Sequence, residues 1–128
     1  PWQWTADILA GKPLTLYGAG KLKRDWTYID DILAGFLAAL ENPLGFEIMN
    51  LGCSNPVENL KFVNVLENLL GKKAQIVDTP TPASEPLVTF ADVSKARRLL
   101  GYEPKTRVPE GLSHFVKWLK DTKLMPGL

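Results

Sequence analysis

Apolar residues recur at three- and four-residue intervals in five stretches, separated by short extended pieces and loops. Trp4, Ile8 and Leu9 share one face, and Gly11 closes that pattern as a helix C-cap would. Pro13 favours an extended exit, so Leu14, Leu16 and Tyr17 read as a short strand. The broadest stripe is Ile29, Ile32, Leu33, Phe36, Leu37 and Leu40, a helix that Asn42-Pro43 stops. Thr27 with Asp30 approximates a capping box at its start, and Asp30 and Asp31 suit the positive helix end. As a pair these two carboxylates read as first-turn acids rather than as metal ligands or a general acid. Phe46 to Gly52 reads as a strand ending in glycine. Phe62, Val63, Leu66, Leu69 and Leu70 predict a helix capped from Asn59 and closed by Gly71.

Beyond Gly71, residues 73–79 predict a short strand. Thr79 to Val88 carries three prolines and Ser84, which exclude helix and predict an exposed, semi-rigid loop. Asp92 is a suitable N-cap for a helix through Val93, Ala96, Leu99 and Leu100, ended by Gly101. Pro109 sits in the first turn of a last helix whose face is Leu112, Phe115, Val116 and Leu119. His114, the single histidine, lies off that face on the solvent side.

The turn Tyr17-Gly18-Ala19-Gly20 changes this picture from plain architecture to candidate chemistry. Its glycines permit positive φ or a close approach of backbone to a ligand. Lys21, Lys23 and Arg24 follow directly, so an anion is the natural guest. Arg24 is the most informative, because its planar fork suits two phosphate oxygens at once. On charge alone the favoured reading is plainer: an exposed basic hairpin with an Arg24–Asp25 ion pair.

The chain has 128 residues, enough for one domain with a modest core. Fifteen basic residues against fourteen acidic leave a net charge of +1, too little to point to nucleic acid or an anionic membrane. No apolar run is long enough to span a bilayer. Cys53 is the only cysteine, so an intrachain disulfide is excluded and a reducing cytoplasm is the expected location. Neither an acid nor a histidine stands beside it in sequence as a catalytic partner.

The run Tyr17-Gly18-Ala19-Gly20 followed by Arg24-Asp25-Trp26-Thr27-Tyr28-Ile29-Asp30-Asp31-Ile32 resembles the signature of extended short-chain dehydrogenase/reductases. Met49-Asn50-Leu51-Gly52, Leu66 to Ala74, Thr89-Phe90-Ala91-Asp92, Leu100 to Thr106 and Glu110-Gly111-Leu112 continue the likeness in the same order. It narrows to the NAD-dependent sugar-nucleotide epimerases and dehydratases, and within them to the UDP-glucuronate 4-epimerases. The resemblance implies an α/β fold: a small, helix-rich substrate-binding domain with short strands over residues 1–128, normally packed against a Rossmann domain. Pro1-Trp2-Gln3-Trp4 enters a helical pattern without an initiator Met, so the chain reads as the carboxyl-terminal part of a longer enzyme.

By the same resemblance, Leu14, Leu16 and Tyr17 border the nucleotide base of a UDP-sugar. For these side chains a plain edge strand remains an equal reading. Arg24 meets the diphosphate and Asn50 reaches a substrate phosphate; for Asn50 the alternative is a turn residue bonding its own backbone. Ser84-Glu85 stands where relatives carry Gly-Asp, which makes Glu85 a further substrate-binding candidate. The second phosphate-binding arginine of that loop is missing, since no Arg occurs from Leu70 to Ala96. Lys72 or Lys73 then substitutes, or the nucleotide sugar is held less tightly.

No catalytic residue is assigned. The family reaction needs a Tyr and a Lys one helical turn apart and a dinucleotide-seating glycine turn. Tyr17 and Lys21 have the Tyr-x-x-x-Lys spacing, but two glycines separate them and follow a strand. The expectations are therefore no metal, no cofactor bound by this part, and NAD in the full-length enzyme. The expected partners are a UDP-sugar, an amino-terminal Rossmann domain and a second copy through an exposed strand edge. A different class remains open: a free-standing binding module without catalysis.

Overall fold

The computed structural model describes residues 1–128. Five helices and four short strands follow in the order α1 (Trp2–Ala10), β1 (Pro13–Tyr17), β2 (Lys23–Arg24), α2 (Ile29–Glu41), β3 (Val57–Glu58), α3 (Asn59–Leu70), β4 (Gln75–Thr79), α4 (Ser94–Leu100) and α5 (Val108–Thr122). A 3-10 turn at Gly18–Gly20 follows β1. This is the small, helix-rich α/β architecture that the sequence implied.

Alternation explains the placement of β1. Leu14 and Leu16 are buried, while Pro13, Thr15 and Tyr17 face out. The strand pairs in parallel with β4, Leu14 opposite Ile76 and Leu16 opposite Asp78. Its buried face joins Ile8, Phe62, Val63, Leu66, Leu112 and Val116 in the main core, so α1, α3 and α5 close around one side of β1. Trp4, Trp26 and Phe62 extend that core as an aromatic group, with Trp26 and Phe62 centroids 4.1 Å apart. A smaller core forms from Val93, Ala96 and Tyr102, against which Met49 and Leu51 pack.

Four sequence expectations require correction. First, β1 and β2 do not form a hairpin: β2 pairs antiparallel with β3, Arg24 opposite Val57, in a separate two-stranded sheet. Second, Phe46 to Gly52 is not a strand. Strand hydrogen bonds need a neighbouring strand, and here Phe46 and Ile48 stand 91% and 73% exposed. Third, the start of α2 has no capping box; its N-cap is Tyr28, with no side-chain cap bond. Thr27 Oγ1 instead accepts from the Cys53 N–H at 3.1 Å and donates to the Asp25 carbonyl at 3.3 Å. Fourth, the caps of α3 and α4 are shifted by one residue from Asn59 and Asp92 to Glu58 and Val93. Asp92 Oδ1 still accepts from the Ser94 N–H at 2.9 Å, and that backbone bond holds its carboxyl below the usual range.

Helix α2 turns its apolar stripe outward. Ile29, Leu33, Phe36, Leu37 and Leu40 are 58%, 48%, 55%, 54% and 64% exposed, whereas its buried residues are Asp31 and Gly35. Gly35 permits the contact, because a Cβ there would lie 2.7 Å from Leu51 Cδ2 and 2.9 Å from Tyr102 Cδ2. Asp31 does more than sit in a first turn: its Oδ1 and Oδ2 accept from the Lys105 and Thr106 N–H groups, both at 3.0 Å.

Candidate functional site

The chain leaves β1 through Gly18, Ala19 and Gly20, all at positive φ (56°, 54° and 74°). Ala19, a residue with a Cβ, is held there by its N–H bond to Asp78 Oδ1 at the end of β4. Glycine at position 18 serves a close approach, since a Cβ would meet Thr81 Oγ1 at 2.8 Å. The loop after β4 therefore lies across the turn, and it continues alongside β2. The Lys23 N–H donates to the Leu87 carbonyl at 2.9 Å, and the Thr89 N–H donates to the Lys23 carbonyl at 3.2 Å.

Arg24 is gripped by the same loop. Its Nη1 donates to the carbonyls of Lys23 at 2.8 Å and Pro86 at 2.9 Å, while Nη2 bonds Glu85 Oε1. The expected Arg24–Asp25 ion pair is not formed; Glu85 is the partner. Tyr17, 39% exposed, ends β1 at the edge of this turn. Leu14 and Leu16, at 1% and 2% exposure, give their side chains wholly to the core and leave only backbone for a ligand.

Asn50 lies in a neighbouring polar cleft of about 340 Å³, lined with it by Asp25, Thr27, Gly52, Thr89 and Phe90. Its Nδ2 donates to the Asp92 carbonyl at 3.3 Å, a tertiary bond rather than one to its own turn. Asp25 organises that cleft. Oδ2 accepts from Ser54 and Ala91, both at 3.0 Å, and Oδ1 from Asn55 at 3.1 Å. Gly52 fits beneath, because a Cβ there would be 2.5 Å from Ala91 Cβ. Tyr17, Arg24 and Glu85 thus border the turn and its covering loop, and Asn50 joins them through the residue after Arg24.

Sequence reasoning missed Asp25 as an organising group. Its donors lie 29, 30 and 66 residues away, so no local pattern announces them. The two lysines suggested in place of the missing loop arginine have other partners here. Lys72 Nζ donates to the Leu9 carbonyl and Lys73 Nζ to Glu67 Oε2. Burial pushes the Glu67 carboxyl up, but the bonds from Lys73 and the Ala74 N–H outweigh it and hold it below its usual range.

Cys53 and His114 lie apart from the Arg24 turn in sequence and make contacts of their own. Cys53 is buried, which pushes its thiol up, with Asp25 and Asp31 adding to the shift, and it accepts from Arg107 Nη1 at 3.3 Å. His114 packs near Tyr28 at a ring separation of 5.6 Å and stands 3.9 Å from Glu110 on the exposed side of α5. The Gly18–Gly20 turn itself is not a dinucleotide seat: it leads into β2, not into the helix N-terminus that takes a dinucleotide pyrophosphate. A second cavity of about 230 Å³ is apolar, lined by Trp26, Tyr28, Phe62, Arg107, Leu112 and Phe115, and contains none of the candidate residues. No helix is long and apolar enough to cross a membrane.

Comparison with known proteins bears directly on this arrangement. The model of the NAD dependent epimerase/dehydratase family matches residues 2–52. A UDP-glucuronate 4-epimerase of Thermodesulfobacterium geofontis is 44% identical over 115 residues, which are 89% of this chain and 35% of that protein. The crystal structure of UDP-glucuronic acid 4-epimerase from Bacillus cereus, in complex with UDP-glucuronic acid and NAD, superposes with a TM-score of 0.83 at 36% identity, covering 93% of this chain and 38% of that one. A dTDP-glucose 4,6-dehydratase of Streptomyces venezuelae gives a TM-score of 0.82 at 26% identity, covering 94% and 38%. The chain thus spans little more than a third of the relatives it matches. Its fold corresponds to the carboxyl-terminal part of those structures, and the chain belongs to the NAD-dependent epimerase/dehydratase family.

Proposed function

We propose that this chain binds a nucleotide diphosphate-sugar as the carboxyl-terminal part of an NAD-dependent 4-epimerase of the UDP-glucuronate or UDP-glucose type. The observation that carries the proposal is Arg24, held at the border of a positive-φ turn by a loop that folds over it. In this reading Arg24 pairs with the diphosphate, Asn50 takes a phosphate oxygen, and Tyr17 with the β1 backbone at Leu14 and Leu16 borders the base. Glu85, on the covering loop, belongs to the same site. The chain is inert alone, because no Tyr–Lys pair shares a helix face and NAD is bound elsewhere in the whole enzyme.

Two partners follow. A Rossmann-type unit covers the outward stripe of α2 and pairs with the Phe46–Leu51 segment. Without it, a second copy of the chain covers the same surface. A cytoplasmic location is part of this reading.

Calorimetric titration with UDP tests the site. Arg24→Ala weakens binding by about tenfold or more, the loss expected for one charge-assisted bond, and by more than Lys23→Ala does. Equal losses would reduce Arg24 to diffuse charge. Incubation with NAD and UDP-glucuronate yields no epimer; turnover would refute inertness. The likeness to the Streptomyces dehydratase supports a 4,6-dehydratase part as the alternative reaction. The missing arginine between Leu70 and Ala96 favours, as a second reading, a binding module without catalysis. Upstream coding sequence containing an in-frame strand, glycine-rich turn and helix would decide for the enzyme.

A further inference from the structure

The ion pair between Arg24 and Glu85 places a carboxylate on the guanidinium proposed to take the diphosphate. We infer that Glu85 is a competing anion that sets the charge a ligand must bring, and this inference rests on the phosphate-binding reading of Arg24. Glu85 is not needed to fasten the loop. The segment after it is tied to β2 by main-chain carbonyls: Pro86 accepts from Arg24, Leu87 from the Lys23 N–H, and Lys23 itself from the Thr89 N–H. The Glu85 N–H is meanwhile turned back onto the Pro82 carbonyl at 3.0 Å. The side chains of Arg24 and Glu85 are 21% and 35% exposed, so solvent and ligand reach the pair.

Consequences for the ligand are direct. Nη1 is occupied by two carbonyls, which leaves Nε and Nη2 as the edge for an incoming anion. Glu85 holds part of that edge and cancels its charge. A monoanion such as a carboxylate exchanges one charge for its equal and gains little. A pyrophosphate group brings more charge over several oxygens and displaces Glu85, which then swings to solvent while the backbone stays in place. Glu85 thereby discriminates diphosphates from singly charged ligands.

The test titrates the 128-residue chain calorimetrically with inorganic pyrophosphate, UDP and acetate, in the parent and in Glu85→Gln, Glu85→Ala and Arg24→Ala variants. Glu85→Gln and Glu85→Ala bind pyrophosphate and UDP about fivefold more tightly, the size of a partly exposed ion pair released. Their melting temperature is unchanged, and the preference for pyrophosphate over acetate narrows. Unchanged or weaker pyrophosphate binding in both Glu85 variants, with Arg24→Ala still weaker than the parent, would overturn the inference and leave the phosphate site standing. Weaker UDP binding with pyrophosphate unaffected would overturn it as well, by making Glu85 a nucleoside contact. Glu85 variants that fail to fold would do the same, because the loop would then depend on the carboxylate. Failure of Arg24→Ala to weaken any ligand would instead remove the phosphate-binding reading itself.

Discussion

Three carboxylates in this chain act as fasteners for distant backbone. Asp25 receives N–H groups from Ser54, Asn55 and Ala91, Asp31 from Lys105 and Thr106, and Glu67 from Ala74 together with the Lys73 ammonium. Removing an acceptor strands its donors, each at about 1–3 kcal/mol when water does not replace it. Asp25→Ala therefore destabilises the chain by about 2–4 kcal/mol in urea denaturation, while Asp30→Ala, at an exposed helix position, changes it by about 0.5 kcal/mol or less. Glu67 adds a pH dependence. Its folded carboxyl titrates below its unfolded value, so the unfolded chain binds more protons in that window and stability falls on acidification through it. Glu67→Gln flattens that acid limb when stability is followed from the ordinary carboxylate range downward; an unaltered limb would mean the proton goes elsewhere. Charge type was legible in these residues, but the identity of their partners was not. The Arg24–Asp25 pair failed as an expectation because adjacent residues in an extended segment point to opposite sides, and Asp25 is satisfied by backbone.

At the scale of elements, periodicity predicted α2 correctly as a helix, and the structure leaves its stripe outward rather than buried within the chain. A stripe reports that a face needs cover, not that this polypeptide supplies it. The helix contacts the smaller core through Gly35 instead, where Leu51 and Tyr102 fill the space a side chain would take. Gly35→Leu overpacks that contact and costs about 1–3 kcal/mol despite the better helix propensity of Leu. The outward stripe, with Phe46 and Ile48 nearby in sequence, predicts self-association of the chain in sizing experiments. Leu37→Lys shifts the distribution toward monomer, and a parent that stays monomeric at high concentration would contradict the prediction. The Phe46–Gly52 segment carries the same lesson. Its alternation suits a strand, yet Glu47 is drawn to Lys95 at 2.6 Å and the segment pairs with no strand of this chain.

For the whole molecule, the order of helices, the strand at Leu14–Tyr17 and the family likeness were legible because they reside in local spacing, glycine C-caps and a collinear run of short motifs. Gly11, Gly71 and Gly101 end their helices in left-handed conformation, as their positions implied. The candidate site was legible at Arg24 and its turn, since glycines and a guanidinium declare themselves in sequence. Which groups that guanidinium meets was decided only when β1 paired with β4 and β2 with β3, bringing the 80–88 loop over the turn. Those pairings join residues distant in sequence, Leu16 with Asp78 across 62 positions and Arg24 with Val57 across 33. The main core around Leu66, which takes the buried face of β1, draws on residues far apart in the chain rather than on any window of sequence. Backbone preference and side-chain period act over a few residues, so the sequence alone determined the elements and their chemistry. Burial and hydrogen-bond satisfaction act across the whole chain, so only the tertiary structure decided that Glu85 faces Arg24, that Asp25 ties the cleft together, and that α2 keeps its apolar side outward.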